Sequence, residues 1–378
     1  MCKNEFQIEN KFYIAGAHSR ARTLAAYIQY LADDYSIEAY LVTDDEDNPD
    51  EINNVPVIRW NMDIKLNPDY PAFIGTRGVY HRQIEDALRK SGIEKIYPVT
   101  VELDMKLRNA YLKKFFSSIH RGFPKIDDEA TLGMTVDDSR INLSVSRCKV
   151  CVYVAKSIFD KPLNQQLRLE RYERVIYVGA ALSNGCAENG VITDATGDNI
   201  SIQNKQFCEL TGLYWIWKNA LEDIVGLVHY RRHFLLPVDW LDRMERYGID
   251  VILPVPLYVA PSIEKNYMER HYSENWFCMM DYLQHYNAGE YQQIKEIFQG
   301  NLYSPCNMFI MRRNVLNELC EWLFPILNVV AAQGETYKDT YQNRYPGFLS
   351  ERLITAFFEI RRGQYKVVYS DKNFYEGI

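Results

Sequence analysis

Two adjacent arginines follow an apolar run in the middle of the chain. The run starts at Gly226 and ends in His229-Tyr-Arg-Arg232. A guanidinium group is a planar fork of N–H donors that matches the oxygens of a phosphate. In open α/β sheets, ligands bind beyond the carboxyl ends of the strands. The pattern therefore predicts a buried strand that presents Arg231 and Arg232 to an anion, although adjacent arginines also form ordinary surface ion pairs.

Two carboxylates lie upstream in the turn-rich segment Thr193-Asp-Ala-Thr-Gly-Asp-Asn-Ile-Ser201. Asp194 and Asp198 could accept hydrogen bonds from hydroxyl or ring N–H groups of a ligand. Asp and Asn also form Asx turns and helix N-caps, so a purely local role stays open. Asn204, just downstream, carries the same two alternatives.

Glu351 is a further candidate, in the segment Phe348-Leu-Ser-Glu-Arg-Leu353 after Gly347. A helix is predicted over 351–361, which would put this carboxylate in the first turn. A carboxylate so placed could act as a general base towards a hydroxyl group. The alternative is structural, because the helix dipole favours an acidic side chain there by about 0.3–1 kcal/mol.

Length, charge and cysteine content exclude several classes of protein. The 378 residues are enough for two domains, and the net charge of −7 argues against a nucleic-acid partner. Cys148-Lys-Val-Cys151 has no second pair with which to complete a zinc site. Reduced thiols in a cytosolic protein are therefore expected.

The chain carries no predicted signal peptide, because charged residues such as Lys3 and Glu5 interrupt the N-terminal segment. Its longest apolar stretch, 322–332, contains Pro325 and falls short of the roughly 20 residues that span a membrane. We expect a cytoplasmic protein that at most associates peripherally with the inner face of the membrane.

Residues 1–100 are predicted to form a small Rossmann-like domain of alternating strands and helices. Strands are expected at 11–15, 37–43, 55–58, 72–75 and 95–99. The first turn has a single Gly16 and lacks the G-x-G-x-x-G pattern, so a structural or partner-binding role is favoured over dinucleotide binding. This part resembles the small N-terminal domain of sugar acyltransferases of the sialic-acid type.

Residues 101–149 are predicted to be a helical linker, followed by a mixed α/β domain over 150–378. The strands of this second domain, separated by helices, are expected at 150–155, 175–179, 224–230, 251–254, 307–311 and 366–369.

The segment of about residues 150–375 resembles one family, because several sequence motifs of that family occur in it in the same order. The motifs are Val178-Gly-Ala180, Asp194-x-x-Gly-Asp-Asn-Ile-Ser-x-x-Asn204, Glu209-Leu-Thr-x-Leu-Tyr-Trp-x-Trp-Lys-Asn219, Gly226-Leu-Val-His-Tyr-Arg-Arg232, Asn307-Met-Phe-Ile-Met311 and Phe348-Leu-Ser-Glu-Arg-Leu353. The family is that of bacterial capsular and exopolysaccharide glycosyltransferases long catalogued as a domain of unknown function. The resemblance implies a GT-A-like fold and a nucleotide-diphosphate sugar donor, often UDP-galactose. The implied acceptor is a growing surface polysaccharide or a lipid-linked glycan.

The resemblance also implies roles for particular residues. Glu351, Arg231 and Arg232 are expected to be catalytic. Donor contacts are expected from Lys156, Gly179, Ala180, Asp194, Asp198, Asn204, His229 and Tyr230. The chain departs from the family pattern at one place. The family carries Thr-His-Lys after its first strand, whereas this chain has Val154-Ala-Lys156. Any donor contact that this histidine makes in the family is therefore missing here.

Three questions stay open at the level of the sequence. Arg231, Arg232 and Lys156 could stabilise the diphosphate by preorganised charge, or His229 with Asp194 or Asp198 could bind Mn²⁺ or Mg²⁺. Glu351 would be the base in an inverting enzyme and would only position the acceptor in a retaining one. A non-catalytic nucleotide-sugar- or glycan-binding module is the alternative to an enzyme, and the retained arginine pair favours the enzyme.

Overall fold

The computed structural model describes residues 11–43, 48–60, 64–133, 148–157, 159–164, 166, 168–183, 191–334 and 337–375. The chain divides into two compact units, one ending at Phe123 and the other beginning at Pro124. Each unit combines a largely parallel sheet with helices, so the predicted α/β fold class is confirmed.

The first unit is built on a six-stranded sheet. Its strands are β1 Lys11–Ala15, β2 Ser36–Val42, β3 Glu51–Ile52, β4 Val55–Arg59, β5 Ala72–Ile74 and β6 Ile96–Pro98. Its helices are α1 Ser19–Leu31, α2 His81–Lys90 and α3 Val101–Ser118. The strand order is β3-β4-β2-β1-β5-β6, and only the β3–β4 pair is antiparallel. Helix α1 connects the parallel neighbours β1 and β2, and α2 connects β5 and β6, which is the Rossmann-like pattern expected from the sequence.

Helix α3 belongs to the first unit, although its residues were predicted to be part of a linker. Thr100 caps its amino end by accepting a hydrogen bond from the N–H of Leu103. Its buried Tyr111 packs on Tyr27 of α1 with ring centroids 5.1 Å apart. Of the rest of the predicted linker, residues 119–123 are part of the first unit, residues 124–133 and 148–149 are part of the second, and 134–147 lie outside the described residues.

The second unit contains a seven-stranded sheet in the order β15-β11-β14-β10-β7-β8-β9. These strands are β7 Val150–Lys156, β8 Glu173–Tyr177, β9 Ile192–Thr193, β10 Ile224–His229, β11 Val251–Pro254, β14 Phe309–Arg312 and β15 Val367–Ser370. A separate pair joins β12 Leu257–Tyr258 to β13 Leu302–Tyr303. Strand β14 runs antiparallel to both neighbours, so its amino end meets the carboxyl end of β10, where Phe309 pairs with Leu227.

Helices of the second unit cover this sheet. They are α4 Glu129–Gly133, α5 Asn204–Phe207, α6 Leu210–Asn219, α7 Trp240–Arg246, α8 Ile263–Arg270, α9 Ser273–Tyr286, α10 Ala288–Gln299, α11 Arg313–Gln333 and α12 Tyr345–Ile360. Among the described helices, only α11 is long and apolar enough to cross a membrane, and half of that stretch is buried inside the protein. Its buried side chains include Leu319, Leu323 and Phe324, which places it as a packed helix of this unit.

The predicted start of the last helix was wrong. Helix α12 begins at Tyr345, with Pro346 at its start and Gly347 inside it. Proline fits there because its fixed φ is helical and the first N–H groups need no partner within the helix. Glu351 consequently lies in the second turn, so the favourable first-turn interaction with the helix dipole does not explain its presence.

Candidate functional site

Cys306 connects two candidate residues at the carboxyl edge of the second sheet. Its carbonyl oxygen accepts a hydrogen bond from His229 Nε2 at 2.5 Å. Its backbone N–H donates to Glu351 Oε1 at 2.6 Å. Because a carbonyl oxygen only accepts, Nε2 carries the hydrogen, and Nδ1 is the acceptor nitrogen of the neutral imidazole. A single residue thus fixes the orientation of both side chains.

The backbone at this point is strained. Cys306 and Asn307 have consecutive positive φ angles of 76° and 49°. Such conformations cost about 1–3 kcal/mol for a residue other than glycine and persist where the surroundings enforce them. Here two hydrogen bonds of the Asn307 side chain hold the turn in place. Its Nδ2 donates to Glu209 Oε1 at 2.7 Å, and its Oδ1 accepts from Ser350 Oγ at 2.6 Å. In this turn the carbonyl oxygen and the N–H of Cys306 face His229 and Glu351.

Burial shifts the protonation of Glu351 and His229 in opposite directions. Burial raises the pKa of Glu351 above its ordinary value, while Arg352, whose Nη1 lies 2.8 Å from Glu351 Oε2, acts in the opposite sense. Burial also lowers the pKa of His229, against the influence of Glu209. A carboxylate of raised basicity beside a neutral imidazole is suited to proton transfer near neutral pH.

Arg231 and Arg232 follow His229 in a tight turn that leads away from β10. The backbones of His229 and Arg232 exchange two hydrogen bonds, at 3.2 and 2.9 Å. Both guanidinium groups lie over the ring of Phe374, with centroid distances of 4.6 Å for Arg231 and 5.2 Å for Arg232. Arg231 Nε also donates to the carbonyl oxygen of Tyr375 at 3.0 Å. The segment around Phe374 thus orients the pair.

The positive charge of Arg232 acts on His229 and Glu351, the two residues that Cys306 holds. It lowers the pKa of both His229 and Glu351, as a nearby cation does. Arg232 therefore lies close enough to Glu351 to act on it electrostatically, and both residues were predicted to be catalytic.

Lys156 and Tyr230 lie at the ends of neighbouring strands. Lys156 is the last residue of β7, and its ammonium group lies 5.8 Å from the centroid of the Tyr177 ring. Tyr230 follows β10, and its N–H donates to the carbonyl oxygen of Ala155 at 3.0 Å. Both predicted donor contacts are therefore at the same sheet edge as His229.

Asp160 is a member of this site that the sequence analysis missed. Its Oδ2 accepts a hydrogen bond from the N–H of Ser157 at 2.7 Å. Burial raises the pKa of Asp160, and the charges of His229 and Lys156 lower it. Its position four residues after the strand-end Lys156 was the available signal, since polar residues just beyond a buried strand are candidates for a ligand site.

Asp194 was predicted to contact the donor, but its carboxylate is buried and bonded to groups of the protein. It is 0 % exposed, and both of its oxygens accept hydrogen bonds from the protein. The donors are Gly179 N–H at 2.8 Å, Thr211 Oγ1 at 2.6 Å, Ala180 N–H at 3.0 Å and Ser201 Oγ at 2.5 Å. The network also occupies the N–H groups of Gly179 and Ala180, which were predicted to contact the donor. These three residues hold together the loop after β8.

Asn204 supports the same loop. Its Nδ2 donates to the carbonyl oxygen of Cys208 at 2.7 Å and to Thr211 Oγ1 at 3.0 Å. A Cβ at Gly179, which has a φ of +70°, would come within 2.5 Å of Asn204 Oδ1. Gly179 is therefore required by this close approach, and the Asn204 side chain joins its own segment to the start of α6.

Asp198 lies at the opposite end of α6 from the site. Its carbonyl oxygen accepts from Asn219 Nδ2 at 2.8 Å, and its Oδ1 accepts from Tyr214 OH at 3.2 Å. Helix α6 is roughly 15 Å long at 1.5 Å per residue. Glu209 at the amino end of that helix reaches Asn307, whereas Asp198 is held at its carboxyl end.

The residues predicted for a divalent cation do not fit one. Asp194 has both oxygens engaged and Asp198 is held at the far end of α6, so neither carboxylate is available to join His229 Nδ1 in a ligand set. Across the residues that the structure describes, no group of three or more His, Cys, Asp or Glu side chains could hold a metal ion. Positive charge at this edge is supplied by Arg231, Arg232 and Lys156.

This architecture is that of an α/β glycosyltransferase fold. The chain is similar to the apo structure of WbbM, described as a bifunctional glycosyltransferase, with 26% sequence identity and a TM-score of 0.51. The similarity covers 60% of this chain and 45% of that chain. No curated protein matches the chain. Residues 161–362 match the model of a family described as a domain of unknown function (DUF4422), and the chain belongs to this family.

Proposed function

We propose that the protein is a glycosyltransferase that moves a hexose from a nucleotide-diphosphate sugar to a hydroxyl group of a glycan. UDP-galactose is the donor we favour, and a GT-A-like donor site is assigned to residues 150–378. The observation that carries the proposal is the convergence of Arg231, Arg232, His229 and Glu351 at one sheet edge. The description of WbbM as a glycosyltransferase supports it.

Arg231, Arg232 and Lys156 would bind the diphosphate of the donor. As the bond between the anomeric carbon and the phosphate oxygen breaks, negative charge develops on the leaving diphosphate. Preorganised cations stabilise this charge more than that of the bound donor, so they lower the barrier. Phe374 holds the two guanidinium groups in place before the donor arrives.

Glu351 would accept the proton of the acceptor hydroxyl while the hydroxyl oxygen attacks the anomeric carbon. Burial makes this carboxylate a stronger base, and the Cys306 N–H fixes its direction. If the enzyme retains the anomeric configuration, Glu351 positions the acceptor instead. His229 would act as a positioning residue, because its Nε2–H holds the Cys306 carbonyl.

The acceptor would be a growing surface polysaccharide or a lipid-linked glycan. A cytoplasmic protein at the inner face of the membrane would meet both the soluble donor and such an acceptor. The family resemblance supports this proposal, and the net charge of −7 argues against a nucleic-acid partner.

UDP binding and donor hydrolysis test the proposal. UDP should raise the melting temperature, since a ligand that binds only the folded state stabilises it by about 2.7 kcal/mol at a hundredfold excess over Kd. Incubation with UDP-galactose should release UDP slowly without an acceptor. GDP and ADP serve as controls. A shift with GDP but not UDP would exclude the UDP assignment, and binding without any hydrolysis or transfer would favour a non-catalytic module.

A further inference from the structure

Three aromatic side chains lie against one another at the amino end of α12. The ring of Phe348 stacks on His271, with centroids 4.1 Å apart and planes at 20°. The ring of Tyr341 lies 5.0 Å from that of Phe348 and is tilted by 46° to it. Tyr341 is 53% exposed, whereas His271 is buried. We call His271, Phe348 and Tyr341 the aromatic platform. Its inner layer is the buried ring of His271, and its outer layer is the exposed ring of Tyr341.

The inner layer is held rigidly. His271 Nδ1 donates to Gln342 Oε1 at 3.2 Å, and Gln342 Nε2 donates to the carbonyl oxygen of Arg270 at 3.0 Å. Burial lowers the pKa of His271 to about 4. The imidazole is therefore neutral at pH 7 and stacks as an uncharged ring. Such rigidity reduces the entropy lost when a ligand stacks on the outer layer.

The platform lies on the same face of α12 as the proposed base. Phe348 and Glu351 are three residues apart, a spacing that places side chains on one helix face about 4.5 Å apart along the axis. Arg344 precedes Phe348 by one turn, and its guanidinium group lies 5.9 Å from the Phe348 ring centroid. The face thus presents a cation, an aromatic surface and a carboxylate in succession.

We infer that the aromatic platform is the acceptor subsite, and that the C–H face of a hexopyranose ring stacks on the exposed ring of Tyr341 with its edge beside the tilted ring of Phe348. This inference rests on the proposed transferase function. Aromatic faces carry partial negative charge and attract the weakly positive C–H groups of a sugar ring, while the hydroxyl groups point sideways. A ring bound there turns a hydroxyl towards Glu351, and Arg344 can donate to a neighbouring oxygen.

Saturation-transfer NMR with simple glycosides tests the subsite without requiring catalysis. The probes are methyl β-D-galactopyranoside and methyl α-D-glucopyranoside, each measured in the presence of UDP. We expect the wild-type protein to transfer saturation to at least one glycoside. In Tyr341→Ala, we expect the saturation-transfer signal of that glycoside to fall at least fivefold. Tyr341→Phe should keep the signal, because stacking needs the ring and not the hydroxyl. Tyr286→Ala is the matched control, since Tyr286 is 74% exposed on α9 and lies outside the platform.

The outcomes separate the subsite from the transferase proposal. Tyr341→Ala should keep the UDP-induced rise in melting temperature and lose sugar binding. If wild-type protein binds UDP and hydrolyses UDP-galactose but saturates neither glycoside, the subsite inference is overturned and the proposed function stands. Equal signals from Tyr341→Ala and wild-type protein would also overturn it. If UDP neither binds nor is released, the transferase proposal fails by itself.

Discussion

The carboxylate of Glu351 accepts a hydrogen bond from the backbone N–H of Cys306 at 2.6 Å. The contact joins a helix to the turn that leads into the antiparallel strand of the second sheet, across 45 positions of sequence. A backbone donor cannot rotate away as a side chain can. The direction of the carboxylate is thus set by the fold itself, which is the preorganisation that a general base needs.

Replacing Glu351 by Gln should separate chemistry from binding. The amide keeps an oxygen that can accept from Cys306 N–H, so the fold and UDP binding should survive. We expect turnover to fall by about 10²–10⁴-fold, the usual contribution of a general base. In wild-type protein, the rate should fall as the pH drops through the raised pKa of Glu351, because the protonated carboxyl cannot accept a proton. This acid limb should vanish in the variant.

Glu359→Gln is the control for that experiment, since Glu359 lies on the same helix and pairs with Arg362. It should have wild-type turnover. Normal turnover in Glu351→Gln, or a joint loss of turnover and UDP binding, would remove Glu351 from the role of base and favour a retaining mechanism.

The arginine pair should be essential for turnover. We expect Arg231→Ala or Arg232→Ala to reduce turnover by about a hundredfold or more, as the loss of a preorganised charge does. Lysine at either position should rescue only part of the rate, because an ammonium group lacks the planar fork. Arg246→Ala, at an exposed arginine of the same unit, should behave as wild type. Steady-state rates near wild type in both Ala variants would show that the pair is structural.

Asp194 and Asp198 should differ in their effect on stability. Asp194→Ala leaves buried donors such as the Gly179 N–H without a partner, so we expect a loss of about 3 kcal/mol or more in the free energy of unfolding. Asp198→Ala, at an exposed site, should change it by only about 0.5 kcal/mol. Urea denaturation measures both. A stable Asp194→Ala protein with weakened UDP binding would instead support the original donor-contact role.

His271 should make the protein less stable in acid. Its pKa is about 4 in the folded protein and 6.5 when unperturbed, so below pH 6.5 the unfolded chain binds a proton that the folded chain does not. The free energy of unfolding should therefore fall between pH 6.5 and 4, by about 3 kcal/mol in total. His271→Phe keeps the stacking and should lose that part of the pH dependence. Equal slopes for the two proteins in urea titrations at several pH values would contradict the prediction.

Much of the sheet could be predicted because its strands are short apolar runs with clear boundaries. The expected strands at 11–15 and 224–230 correspond to β1 and β10 within a residue. The sequence pattern also predicts one helix over 267–287, whereas the structure has two helices in this region with a break at His271 and Tyr272. The start of α12 was also misplaced, because Gly347 suggested a loop while its neighbour Pro346 can begin a helix.

The roles of single polar residues were less predictable. Asp194 and Asp198 occur in one turn-rich segment with similar local signals, yet one is buried within a hydrogen-bond network and the other lies at the far end of α6. The only sequence signal for Asp160 was its position shortly after the strand that ends at Lys156. Local sequence cannot separate such cases, because burial depends on elements that are distant along the chain.

The sequence by itself determined the α/β class, the delivery of Arg231 and Arg232 by a buried strand, and the family resemblance. These features reside in local runs and motifs, where residue type and spacing suffice. Only the tertiary structure decided which groups meet. The reversal of β14 brings Cys306 to the end of β10, and the packing of α12 brings Glu351 to its N–H. Hydrogen bonds between residues so far apart in sequence, and the pKa shifts that burial causes, exist only once the chain has folded.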